Sequence, residues 1–172
     1  MITGVASQDP LYIDWIADLK AKDVKIIFPH NGQDWQIGKD LVLDVIYPFT
    51  GQGLIGQEMK NKNNASITVM LRRLNGEPLM LLSGDAEEEQ EFEMLLTGQD
   101  VTSEVMKLGH HGSRTSSSVH FLNAIQPKIA VASAGVENQF NHPHPETLEK
   151  MDDFGVELYR TDLNGGVKFV FR

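Results

Sequence analysis

Three groups of polar residues follow apolar segments that have the pattern of β-strands. They are Ser83-Gly84-Asp85, the segment 109–113 with its adjacent His110 and His111, and the segment 138–144. In open α/β sheets, ligand sites lie beyond the carboxyl ends of the strands, so loops that are distant in sequence converge there. Because the chain has no cysteine, imidazole nitrogen and aspartate oxygen are the natural ligands for zinc or manganese. The three loops are therefore candidates for one metal-binding crevice.

Each of these groups also has a structural interpretation. Asp85 is placed to cap the helix that follows it, with Glu88 completing a capping box. Neighbouring side chains in an extended segment point in opposite directions, so we expect only one of His110 and His111 to bind a metal while the other orients it or contacts substrate. The segment 142–145 is equally well explained as a loop stiffened by proline before a helix.

The remaining polar residues favour structural roles. We interpret His30 as part of a turn and His120 as an exposed helix residue. The serine-rich segment 113–118 predicts a turn and a helix cap, since no Gly-x-Ser-x-Gly nucleophile motif accompanies it. Thr161-Asp162 is expected to shape a turn before the last strand, and the acidic run 87–91 is expected to be a solvated helix face.

Composition narrows the classes of function. The 172 residues suffice for one domain with a real core. Acidic residues outnumber basic ones 24 to 15, giving a formal charge of −9, which disfavours nucleic-acid binding through a broad basic surface. Any phosphate ligand would then need a local positive centre, such as a metal ion. The absence of cysteine excludes disulfides, thiolate zinc sites and cysteine nucleophiles.

The elements that would position these loops alternate in the second half of the chain. Hydrophobic periodicity and turn residues predict helices at 10–22, with Asp9 as its cap, and at 86–96, 117–125 and 145–154. They predict strands at 24–28, 35–37, 41–47, 67–74, 79–83, 105–108, 129–134, 156–159 and 167–171. A run of strands followed by alternating strands and helices indicates α/β layers around a mixed sheet.

Five segments in collinear order together resemble a known family. They are NNASI at 63–67, LLSGD at 81–85, MKLGHHGS at 106–113, NQFNHPHP at 138–145 and YRTD at 159–162. The set is similar to the C-terminal half of the metallo-β-lactamase-like domain of the ComEC family of bacterial DNA-uptake competence channels. Related phosphorylcholine esterases share the Asn-Asn, Gly-Asp and His-His-Gly-Ser pieces.

This resemblance implies an α/β fold, the metallo-β-lactamase αββα sandwich, with a site for two divalent metal ions, zinc or manganese. It implies that Asp85 bridges the metals and that His110 or His111 is a terminal ligand, with Asp85 and His111 as the catalytic residues. Positions matched to segments beside the site or at its mouth are expected to bind substrate: Asn64, Ser66, Ser113, His142 and His144.

One departure from the family is large, because its principal ligand motif, His-x-His-x-Asp-His, is absent from the sequence. We therefore expect residues 1–172 to be the C-terminal part of one such domain, without its first strands, although a degenerate domain that has lost its metal would look the same. The isolated chain is then expected to be inactive, to bind no metal or an incomplete set, and to self-associate through an exposed sheet edge.

The resemblance also implies a setting for the parent protein. It would be a membrane channel in the cytoplasmic membrane, with this soluble domain on the extracytoplasmic side. The domain would be a metal-dependent nuclease that degrades the non-transported strand during DNA uptake, with single-stranded DNA as substrate. The alternatives are a non-catalytic interaction module of the channel and a small-molecule phosphoesterase of the metallo-β-lactamase superfamily.

Overall fold

Seven strands of the described residues form one mixed sheet, and their order in space is their order in the sequence. The computed structural model describes residues 1–49 and 54–171. The strands are β1 (Asp34–Ile37), β2 (Leu41–Tyr47), β3 (Thr68–Arg73), β4 (Pro78–Leu82), β5 (Val105–Lys107), β6 (Ile129–Ala132) and β7 (Glu157–Arg160).

The strand pairing changes from antiparallel to parallel at β4. Strands β1 to β4 are antiparallel neighbours, and the β3–β4 turn contains Gly76 at a φ of +90°. Strands β4 to β7 run parallel, with a helix between each successive pair: α2 (Glu88–Leu96), α3 (Val119–Ile125) and α4 (Pro145–Asp153). Parallel strands bring their carboxyl ends to one edge of the sheet. The loops after β4, β5 and β6 therefore begin side by side.

The core lies on one face of the sheet. Met70, Leu81, Met106 and Ala130 are direct partners in neighbouring strands and are fully buried. They belong to one apolar cluster with residues of the three helices, among them Met94, Phe121, Leu122 and Met151. The strand residues between them, such as Met80 and Leu82, are only half-buried, so the sheet packs tightly on its helical side. This rigid layer fixes where the loops begin.

Helix α1 (Pro10–Ala21) is peripheral. Its N-cap Asp9 accepts a hydrogen bond from the Leu11 amide at 2.9 Å, which confirms the predicted cap, but the helix contributes no buried residue. The short α5 (Thr161–Asn164) directly follows β7, so Thr161-Asp162 begins a helix and not a turn leading to a strand. Among the described residues, no helix combines the length and the apolar character that crossing a membrane requires.

The sequence predictions of an α/β class and a mixed sheet are confirmed, while two predicted strands are wrong. Residues 24–28 and 167–171 form no strand, although the Ile27 carbonyl does accept a hydrogen bond from the Ile2 amide. Apolar composition alone made those segments look like strands, but neither pairs within the sheet. One sheet with flanking helices is compatible with an αββα sandwich.

Helix α2 departs from its predicted structure in two ways. It begins at Glu88 with Glu87 at the N-cap position, so Asp85 does not cap it. The acidic run is only partly a solvated face. Glu88 and Glu89 are exposed, but Glu91 is 1 % exposed and accepts hydrogen bonds from the Ser117 and Ser118 amides at 2.6 and 2.8 Å. Asp85 is therefore not the N-cap of α2.

Candidate functional site

The loops after β4 and β5 are joined by hydrogen bonds at the carboxyl edge of the sheet. The Gly84 carbonyl accepts from the His110 amide at 3.1 Å and from Lys107 Nζ at 3.2 Å. Lys107 Nζ also donates to the Leu108 carbonyl at 3.0 Å. Burial lowers the pKa of Lys107, and the nearby Asp85 carboxylate opposes that shift. The ammonium thus holds together the two backbone segments that present Asp85 and the paired histidines.

The paired histidines lie on a left-handed turn, which corrects the expectation of an extended segment. His110 has φ 44° and ψ 47°, and His111 has φ 58° and ψ 18°. Two successive non-glycine residues in this region store backbone strain, which persists only where surrounding contacts require it. Gly112 follows at φ +87°. The turn separates the two rings, whose centroids are 6.3 Å apart. Each ring lies beside a different carboxylate, Glu87 for His110 and Asp85 for His111.

His111 faces Asp85. Its Nε2 lies 3.4 Å from Asp85 Oδ1, and both side chains are about two-fifths exposed. Its Nδ1 lies 2.6 Å from the Ser133 carbonyl, and because a carbonyl only accepts, Nδ1 must carry the proton. In the neutral imidazole, Nε2 then has a free lone pair, and this nitrogen lies near a carboxylate oxygen. Two acceptors at this distance are an arrangement that a metal ion can bind through one oxygen and one nitrogen.

His110 is paired with a residue that sequence reasoning missed. Its Nδ1 lies 3.1 Å from Glu87 Oε1, and the same carboxylate accepts from Asn61 Nδ2 at 2.7 Å and Asn63 Nδ2 at 2.9 Å. Burial raises the pKa of Glu87, but the amide hydrogen bonds and the His110 imidazole outweigh it and hold the pKa below its usual value. The available signal was the position of Glu87 two residues after Asp85.

Asn64 and Ser66 contact the turn that carries Asp85. Asn64 is buried; its Oδ1 accepts from the Glu87 amide at 3.2 Å, and its Nδ2 donates to Glu89 Oε2 at 2.9 Å. Ser66 Oγ accepts from the Asp85 amide at 3.0 Å. In this structure the contacts of both side chains support the protein backbone and acidic side chains. Their role in binding substrate stays a prediction.

His142 lies at the centre of four imidazole rings. Its ring centroid is 5.2 Å from that of His110, 6.3 Å from that of His111 and 4.7 Å from that of His144. The residue is 8 % exposed. Burial lowers the pKa of His142, and the neighbouring imidazoles lower it further. The loop after β6 therefore does converge on the same crevice as the other two.

Ser113 and His144 join that loop to the histidine turn. The Gly112 carbonyl accepts from the His144 amide at 3.0 Å, and His144 Nδ1 accepts from the Arg114 amide at the same distance. Ser113 is buried, and its hydroxyl contacts Thr115 Oγ1 at 3.0 Å. These contacts position loop backbone. The assignment of the two residues to substrate binding also stays a prediction.

The residues present fit a metal ion as a partial set of ligands. The facing acceptors of Asp85 and His111 offer one oxygen and one nitrogen donor, a pairing suited to zinc or manganese. Within residues 1–49 and 54–171, no group of three or more histidine, aspartate, glutamate or cysteine side chains is arranged to hold a metal. A complete site therefore needs donors beyond those that the described residues bring together.

Comparison with known proteins finds competence proteins among the relatives of this chain. The chain is 32% identical over 134 residues to ComE operon protein 3 of Bacillus subtilis, covering 78% of the chain and 16% of that protein. It is 39% identical over 113 residues to competence protein ComA of Neisseria gonorrhoeae, covering 65% of the chain and 16% of that protein. Recombination protein 2 of Haemophilus influenzae is 34% identical over 99 residues, 56% of the chain and 12% of that protein. No protein-family profile matches the chain.

These relatives support the resemblance seen in the sequence. The chain is similar to one part of the ComEC-like competence proteins. It spans about one sixth or less of the length of the relatives named above.

Proposed function

We propose that the chain is part of a metallo-β-lactamase-like domain that hydrolyses phosphodiester bonds in DNA during DNA uptake. The observation that carries the proposal is the Asp85–His111 pair, in which Oδ1 of the carboxylate and Nε2 of the imidazole lie 3.4 Å apart. The similarity to competence proteins supports a DNA substrate. The discarded, non-transported strand is the substrate we favour.

The chemistry follows from the charge of the site. Divalent cations, when bound, would offset the phosphodiester charge and lower the pKa of a coordinated water molecule. In a chain with a formal charge of −9, this local positive charge is what allows an anionic substrate to approach. We assign Asp85 and His111 as the two metal ligands that this chain contributes.

The other residues of the site orient those ligands. The Ser133 carbonyl holds His111 in the tautomer whose Nε2 is free to bind a cation. Glu87 fixes His110 beside it, and Lys107 holds the two loops together. His142 and His144 form the wall of the crevice. We propose that this wall contacts the substrate.

We place the parent protein in the cytoplasmic membrane, with this domain on the extracytoplasmic side. The proposal rests on the similarity to competence proteins and on the need of a DNA-uptake machine to process DNA outside the cell membrane.

The experiment compares the 172-residue chain with the longer protein in which we propose it resides. Each is incubated with single-stranded DNA and Mn²⁺ or Zn²⁺, as wild type, Asp85→Asn, His111→Gln and the exposed control Glu149→Gln. We expect the longer protein to cleave DNA, both site variants to lose at least a hundredfold in rate, and the control to match wild type. The chain alone is expected to show little cleavage.

Other outcomes select the alternatives. Cleavage by the longer protein that is indifferent to Asp85 and His111 overturns the proposal. Turnover of a phenyl or choline phosphodiester without DNA cleavage indicates a small-molecule phosphoesterase. No turnover of either substrate indicates a non-catalytic module of the channel.

A further inference from the structure

Phe140 is an exposed aromatic residue beside the imidazole rings of His111, His142 and His144. Its side chain belongs to a residue that is 62 % exposed, yet its ring is nearly parallel to that of His142, at 25° and a centroid distance of 5.8 Å. His142 is in turn nearly parallel to His111, at 17° and 6.3 Å. The three rings form a stack that runs from the protein surface to the Asp85–His111 pair.

The loop that carries Phe140 is held by its own hydrogen bonds. Asn138 Oδ1 accepts from the His142 amide at 2.9 Å, and Asn138 Nδ2 donates to the His142 carbonyl at 2.7 Å and to the Gly135 carbonyl at 3.0 Å. The Asn141 amide donates to the Asn138 carbonyl at 3.0 Å. The loop is thus closed without any contribution from the Phe140 ring. The phenyl group contacts the His142 ring and is otherwise largely exposed.

The surroundings of Phe140 fit a nucleic-acid strand. Arg114 is exposed and its guanidinium lies 4.0 Å from Glu146 Oε1, while its backbone amide donates to His144, whose ring contacts that of His142. Exposed aromatic rings on which successive bases stack are a feature of proteins that bind single strands. Stacking is available only to a base whose face is free, and the bases of a duplex already stack on each other.

We propose that Phe140, supported by His142, is a stacking platform for an unpaired nucleobase of the substrate. This inference rests on the proposed function, since it takes the Asp85–His111 pair as the centre toward which the strand is led. It assigns the preference for single-stranded over double-stranded DNA to Phe140.

The test is a binding titration with the 172-residue chain at low salt in the presence of Zn²⁺, because the chain has a formal charge of −9 and the proposed function assigns the approach of an anionic strand to bound divalent cations. The probes are a labelled ten-nucleotide oligothymidylate, an abasic oligonucleotide of the same length and charge, and a duplex. We expect Phe140→Ala to weaken oligothymidylate binding about five- to tenfold, toward the lower end of one base–aromatic stack. Phe140→Trp should retain the affinity. The matched control is Phe92→Ala, because Phe92 is similarly exposed on α2, away from the crevice; it should also retain the affinity.

The abasic probe distinguishes stacking from charge. It should bind wild type more weakly than oligothymidylate does, and it should not discriminate between wild type and Phe140→Ala. Equal binding of oligothymidylate by wild type and Phe140→Ala overturns the inference, as does the absence of binding by wild type.

Different results contradict the role of Phe140 and the proposed function. Cleavage that depends on Asp85 but is unchanged by Phe140→Ala in rate and in single-strand preference contradicts the platform alone. Base-dependent binding through Phe140 in a protein whose cleavage ignores Asp85 contradicts the proposed function alone.

Discussion

His111 lies between two oxygen atoms, one near each nitrogen of its ring. The Ser133 carbonyl, 2.6 Å from Nδ1, fixes the proton on that nitrogen, while Asp85 Oδ1 lies 3.4 Å from Nε2. His110, its neighbour in sequence, is turned away to Glu87. The left-handed backbone at both residues produces this division. It distinguishes two imidazoles that the sequence alone leaves equivalent.

This division predicts which histidine binds metal. We expect Zn²⁺ added to the chain to shift the imidazole signals of His111 in NMR spectra more than those of His110, with a weak affinity because two donors do not complete a site. Asp85→Asn and His111→Gln should each weaken binding at least tenfold, and a chelator should reverse the shifts. The control is His120→Gln, which removes an exposed histidine on α3. Loss of binding in His110→Gln, with His111→Gln unaffected, would contradict this assignment.

The histidine turn also depends on Gly112. Its φ is +87°, and a Cβ added there would lie 2.6 Å from Pro143 Cβ. Gly112→Ala therefore combines left-handed strain with overpacking, and we expect the free energy of unfolding to fall by about 2–3 kcal/mol in urea titrations. Gly135→Ala is the matched control, since nothing lies within 4 Å of its added Cβ and its φ is not positive. A similar loss in both variants would show that the contact with Pro143 is unimportant.

The sequence was sufficient to predict most of the sheet. Strand β2 was predicted with its observed ends, and the turn at Asn75-Gly76 correctly joined β3 to β4. These features depend on alternating apolar residues and turn chemistry, which are local. The convergence of the three loops was also predictable, since it follows from parallel strands alone.

The partners of individual side chains were not predictable in the same way. Glu91 has the pattern of a solvated acid in a charged run, but its two donors come from residues 117 and 118. The choice between His110 and His111 depends on positive φ values that nothing in the local sequence requires. Such contacts are decided by tertiary packing, which periodicity does not encode.

Glu91 is predicted to be important for stability. It is 1 % exposed and is the acceptor for the Ser117 and Ser118 amides, with Lys150 nearby. Burial raises its pKa, and the two amides and Lys150 oppose that shift. Glu91→Ala leaves two amide donors without this acceptor, so the free energy of unfolding should fall by about 2–4 kcal/mol. Urea unfolding provides the measurement.

Glu149 offers the matched control for that substitution. It is an exposed glutamate on α4, so Glu149→Ala should change the free energy of unfolding by less than about 0.5 kcal/mol. A loss in Glu91→Ala no larger than that of the control would mean that water or a rearranged segment replaces the carboxylate at no cost.

Tyr47 is predicted to give the fold an alkaline pH dependence. Burial, followed by the charge and hydrogen bond of Glu93, raises the pKa of its phenol from 10.0 to about 12. The folded chain therefore holds this proton more tightly than the unfolded chain does. The resulting stabilisation is complete below pH 10 and is lost as the pH rises from about 10 to about 12.

Urea unfolding at each pH tests this prediction. Between pH 9 and pH 11, the free energy of unfolding of wild type should fall by about 1 kcal/mol more than that of Tyr47→Phe does. The control is Tyr12→Phe, on the peripheral α1. Its free energy of unfolding should fall by as much as that of wild type over the same pH range. Parallel pH profiles for wild type and Tyr47→Phe would show that the phenol of Tyr47 ionises equally in the folded and unfolded chains.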